Sequence, residues 1–139
     1  MRILVGLSLM SLVACETTKA PSQLLTKGED YQVSTSFNED SQAIMVSIQA
    51  NEAPVCVNPE DWPSDTGMMS SLSDPLTISR GDEIYKIDEI RVDGGFGKTI
   101  KVRAGEKISG SVPLSTFFGI SEWVGTEEIR YDPMVSTCY

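Results

Sequence analysis

Apolar and polar residues alternate in short runs along most of this chain, and turn residues separate the runs. Tyr31, Val33 and Thr35 alternate with Gln32, Ser34 and Ser36, and Ile44, Val46 and Ile48 share one face of Ala43–Ile48. The turn sequence Asn38-Glu39-Asp40 stands between them. A period of two puts neighbouring side chains on opposite faces of a pleated strand, so both runs predict strands with one buried face. Pro54–Val57, Leu76–Ile78, Glu83–Ile87, Glu89–Val92, Lys98–Val102, Glu106–Leu114, Glu128–Tyr131 and Val135–Tyr139 continue the series. Glycine-bearing turns at Asp93–Gly97 and Ala104-Gly105 punctuate its second half. One long irregular section, residues 58–74, interrupts the pattern and holds Trp62, Met68 and Met69. No window of about 11 residues carries a helical stripe. The pattern predicts an all-β fold, a single small β-sandwich, with a small β-barrel as the alternative.

The N-terminus follows a different rule. Ile3 to Val13 is almost continuously apolar behind one positive residue, Arg2, and Ala14 then stands directly before Cys15. A stretch of about a dozen residues is too short for a membrane-spanning helix, which needs roughly 20. It has the length of a signal-peptide core with a small residue at the cut site. Leu12-Val13-Ala14-Cys15 resembles the lipobox of bacterial lipoproteins. That resemblance implies cleavage before Cys15 and acylation of Cys15, with residues 1–14 as the signal peptide. Several acyl chains anchor far better than one. The mostly polar residues 15–28 then read as a lipidated tether, with Leu24 and Leu25 able to pack on the domain, and residues 29–139 as the sandwich. The implied location is the bacterial cell envelope, on a membrane facing periplasm or exterior.

A second, shorter resemblance concerns Ile100 to Leu114, the aromatic pair Phe117-Phe118 and Ile129-Arg130-Tyr131. These resemble the late strands of immunoglobulin-like accessory domains found with some secreted proteases of the deuterolysin type. It implies an immunoglobulin-like sandwich and no chemistry.

Composition narrows the functions. Arg2 is the only charge in residues 1–14, so the remaining 125 residues carry 10 basic and 20 acidic side chains. An acidic chain of this kind does not suit nucleic acid, which needs clustered Lys and Arg. A cationic partner is favoured, through steering more than affinity. The chain has no histidine, which removes Ser-His and Cys-His catalysis and His-ligated zinc. With Cys15 assigned to lipid, Cys56 and Cys138 form an even pair, read as a disulfide in an exported domain.

Several short motifs compete with plain turns. Asp65-Thr66-Gly67 matches the aspartic-protease tripeptide but follows Pro63-Ser64 in a loop, and turn residues are the better reading. Gly94-Gly95-Phe96-Gly97-Lys98-Thr99 ends like a phosphate-binding loop, yet Val92 occupies the place of its first glycine. Arg80-Gly81-Asp82 matches a receptor-read tripeptide and also an ordinary turn. Glu60, Asp61, Asp65 and Asp74 offer oxygen ligands for calcium, without the spacing of a calcium loop. Trp62, Asp65, Met68 and Met69 form the candidate binding loop, against the alternative that Trp62 and the methionines cover the core. Trp123 and Phe117-Phe118 read as core. With no catalytic set legible, the expectation is a non-enzymatic, lipid-anchored binding module for another envelope component, without cofactor or metal. The alternative is an inhibitor of an extracellular enzyme such as lysozyme.

Overall fold

Alternation decides which face of each strand is buried, and the computed structural model describes residues 23–70, 73–88 and 97–138. Among them β1 (Tyr31–Asn38), β2 (Ala43–Ala50) and β3 (Val55–Val57) come first, followed by β4 (Leu76–Arg80) and β5 (Glu83–Lys86). Then come β6 (Ile100–Val102), β7 (Lys107–Pro113), β8 (Glu128–Tyr131) and β9 (Val135–Thr137). The lipobox with Cys15, the predicted strand Glu89–Val92 and the turn through Phe96 lie outside the described residues.

The strands form three antiparallel sheets with orders β1-β2-β7, β6-β3-β9 and β5-β4-β8, and none closes into a barrel. The arrangement is a small all-β sandwich around one core. Tyr31, Ile44, Val46, Ile48 and Val112 fill the core from the first sheet, Val55, Val57, Val102 and Val135 from the second, and Leu76, Ile78 and Tyr131 from the third. Three-stranded sheets of this size are marginal alone, so the shared apolar core is what makes them persist.

Two devices reinforce the sheet β6-β3-β9. The Cys56–Cys138 disulfide, with Cα atoms 5.2 Å apart, ties β3 to the residue after β9. Residues 23–25 add a short fourth strand beyond β9. The Leu25 N–H donates to the Val135 carbonyl at 3.0 Å and the Thr137 N–H to the Gln23 carbonyl at 2.9 Å. Residues 23–25, read from sequence as tether, are therefore part of the fold. Leu25 packs against the core while Leu24 points outward, 72 % exposed. The difference has a simple cause: two leucines in a polar run give no period, and only β9 tells which one turns inward.

The disulfide closes a loop of 82 residues. Replacing both cysteines with alanine is expected to lower the unfolding free energy by about 2–5 kcal/mol. Urea unfolding of the oxidised protein and the double variant checks this, and equal midpoints would overturn it.

Candidate functional site

The irregular section between β3 and β4 is built around one buried carboxylate. Asn58 caps a 3-10 turn, Pro59–Asp61, by accepting from the Glu60 N–H. The turn delivers Asp61 inward, 2 % exposed. Its carboxylate accepts from the Ser73 hydroxyl and from the Met134 N–H, both at 2.7 Å. Its carbonyl accepts from the Tyr131 hydroxyl at 2.6 Å. Burial, first, and then the nearby Asp61 push the Tyr131 phenol far above its ordinary pKa, so it stays a neutral donor.

Trp62 and Pro63 lie across β7 at Gly110. A Cβ on Gly110 would come within 3.1 Å of Pro63 and 3.3 Å of the Trp62 ring. Gly67, at φ +76°, sits against Pro113, where a Cβ would lie 2.7 Å from the proline ring. Met69 is fully buried, Met68 is 38 % exposed and Asp65 is exposed. Within the candidate binding loop, Trp62 and Met69 thus belong to the cover of the core. Only Asp65 and Met68 face outward.

The other motifs fall apart in space. Asp74 pairs with Lys86 at 2.6 Å and Asp61 is occupied as above, and no group of three metal-ligating side chains occurs among the described residues. The Arg80 side chain of Arg80-Gly81-Asp82 is committed. Its Nε donates to Glu127 at 2.9 Å, its Nη2 to the Glu122 carbonyl at 2.7 Å, and the guanidinium lies 5.6 Å from the centre of the Tyr85 ring. Gly94 to Phe96 lie outside the described residues. Phe117 and Ile120 are buried, Trp123 is half-buried in a stack on Phe37 at 4.4 Å, and Phe118 is 75 % exposed. Phe118 therefore departs from the core reading. The bridge Ile87↔Phe117 turns Phe117 inward, and the pleat must turn its neighbour outward.

That outward turn builds a surface the sequence did not announce. The Phe118 N–H donates to the Lys86 carbonyl at 2.9 Å, which sets Phe118 beside Lys86 on the outer face of β5-β4-β8. Ile84, 65 % exposed, lies on the same face two residues along β5. The face continues through Thr77, Ser79 and Glu128 into a groove of about 540 Å³, whose far wall is Val33 and Thr35 of β1. Two strand edges border this groove. The Tyr31 carbonyl accepts from Gly28 on the side away from β2, so the backbone groups of Val33 and Thr35 also point off the ladder. Asp132 donates to Pro75 across the β4 side, so Ile129 and Tyr131 turn theirs away from β4. Among the described residues no backbone hydrogen bond joins β1 to β8.

No family model, curated protein or solved structure matches this chain.

One electrostatic feature supports the loop beside the groove. Glu127 accepts from Arg80 and from the N–H groups of Val124 and Gly125 at 2.9 and 2.8 Å. Desolvation opposes its charge, but these donors prevail and hold its carboxyl down to about 2 from an ordinary 4.5. A depressed carboxylate stabilises the fold fully above its unfolded pKa and progressively less as pH falls toward the folded one. The melting temperature of the wild type is expected to drop between pH about 4.5 and 2. Glu127→Gln is expected to melt lower at pH 7 and to flatten that acid slope. Parallel pH profiles for the two proteins would overturn this account.

Asp61→Ala is expected to cost about 2–4 kcal/mol, since it removes a buried charged acceptor and leaves the Met134 N–H without a partner. Thermal unfolding measures the loss. A variant as stable as wild type would remove Asp61 from its organising role.

Proposed function

We propose that this protein is a lipid-anchored, non-enzymatic binding module of the bacterial cell envelope, and that it engages another envelope protein along the groove between β1 and β8. The observation that carries the reading is the pair of unpaired strand edges bordering that groove, with Ile84 and Phe118 exposed on the adjoining face. An open edge is a template for an extended segment of another chain, with main-chain hydrogen bonds for affinity and side-chain contacts for selection. The lipobox sequence supplies the anchor, and the Cys56–Cys138 disulfide suits an oxidising compartment.

A second reading, inhibition of a basic extracellular enzyme such as lysozyme, draws on a different surface. Glu39, Asp40, Asp65 and Asp82 lie in turns and Glu83 opens β5, all exposed, and Arg80 next to Gly81 and Asp82 is already paired with Glu127. Such a surface would steer a cationic protein.

Crosslinking in intact cells, comparing wild type with Cys15→Ala and Thr35→Pro, tests the leading reading. Proline at Thr35 removes an outward N–H of an edge strand while leaving the β1-β2 ladder in place. One dominant partner lost in both variants, with the Thr35→Pro domain still folded, is the expected outcome. A partner retained by Thr35→Pro would take binding away from this edge. No envelope partner at all, with lysozyme inhibited on titration, would favour the second reading.

A further inference from the structure

We infer that the lipid-anchored domain stands on its membrane in one orientation, with the end that carries Gln23, Leu24 and the disulfide against the headgroups. This rests on the reading of Cys15 as the lipid-bearing residue. Gln23 is already fixed to the fold: its N–H donates to Thr137 Oγ1 at 3.1 Å and its carbonyl accepts from the Thr137 N–H at 2.9 Å. Only residues 16–22 separate it from Cys15. Seven residues reach at most about 25 Å when fully extended. The short strand at Leu24 runs antiparallel to β9, so the chain before Gln23 leaves the domain beside Cys138.

The strand registers define what else lies at that end. Val55 is paired with both Thr137 and Val102, which places the turns of residues 51–54 and 103–106 there. β1 and β2 then run the length of the domain, about 26 Å for eight residues. At their other end lie the turn of residues 39–42, the Phe37–Trp123 stack and Gly67 against Pro113. Arg80-Gly81-Asp82 joins them through the bond from Arg80 to Glu122, next to Trp123.

Charge separates along this axis. The tether end holds Lys27, Lys101, Arg103, Lys107 and Arg130, which balance Glu29, Asp30, Glu52, Glu106 and Asp132. The far end carries Glu39, Asp40, Asp65, Asp82, Glu83 and Glu122. Arg80 lies there too, and Glu127 neutralises it. An anionic leaflet repels the far end and tolerates the near one, within a Debye length of about 8 Å. Leu24, 72 % exposed beside the tether, adds an apolar side chain at the depth where headgroups begin. The anchor keeps the domain at the surface, where these preferences add up toward one orientation.

The test uses the mature lipidated protein with membranes of phosphatidylcholine and phosphatidylglycerol. Flotation with vesicles comes first, and a protein that fails to float overturns the anchor itself. In nanodiscs of the same lipids with a paramagnetic chelate on the headgroups, the amides of Leu24, Glu52, Ala53 and Gly105 are expected to relax several-fold faster than those of Glu39 to Ser41. Leu24→Asp is expected to reduce that contrast while still floating. A protein that floats but relaxes evenly at both ends, or faster at Glu39 to Ser41, overturns the orientation and leaves the anchor standing.

Discussion

The fold depends on a single buried carboxylate more than on any one strand. Asp61 follows the end of β3, yet its hydrogen bonds reach Ser73 before β4, Tyr131 at the end of β8 and Met134 before β9. Sheets of three short strands have too little ladder to hold themselves, and β3, β6 and β9 are only three residues each. Their positions are set from outside by the shared core and this carboxylate, while the disulfide locks β3 to the end of β9. A buried charge with no partner would be costly, so the acceptor is useful only because all its donors arrive together. That mutual dependence makes the section between β3 and β4 part of the architecture instead of a free loop.

Much of the all-β organisation was legible because alternation is a local signal. Tyr31, Val33 and Thr35, like Ile44, Val46 and Ile48, announce their buried faces within six residues of sequence. The Cys56–Cys138 pairing was legible once the lipobox resemblance set Cys15 aside and left an even pair. The role of Asp61 was not legible. In sequence it is one of four acids in a polar stretch, and nothing local separates a buried acceptor from a solvated one. Gly110 is a similar case: inside a strand it reads as a weakness, and only the Trp62 and Pro63 side chains crossing it give the reason.

Phe118 shows the opposite limit. Hydrophobicity marks it as core, but the non-hydrogen-bonded bridge between Ile87 and Phe117 assigns the inward place to its neighbour. Of two adjacent aromatics in an extended segment, one must face out. Which one depends on register with β5, a contact made across 30 residues of chain. The groove between β1 and β8 is equally non-local, since it exists only where two edges from distant segments approach without pairing. The candidate binding surface is therefore made of long-range placement, while the candidate loop picked from sequence, with Trp62 and Met69 inside, is mostly scaffold.

The two chain ends share one mechanical problem, and the structure answers it in one place. A lipid on Cys15 would load the domain through residues 23–25, which are held by two backbone bonds to β9. β9 is a three-residue terminal strand, the kind that frays first. Its own far side is paired with β3, and Cys138 immediately after it is covalently joined to Cys56 in β3. Force arriving from such a lipid would therefore pass from a weak edge strand into a strand that cannot peel away without breaking a covalent bond. A disulfide between neighbouring interior strands would close a shorter loop and constrain the unfolded chain less. Placed here, it also protects the strand against which the tether is seated.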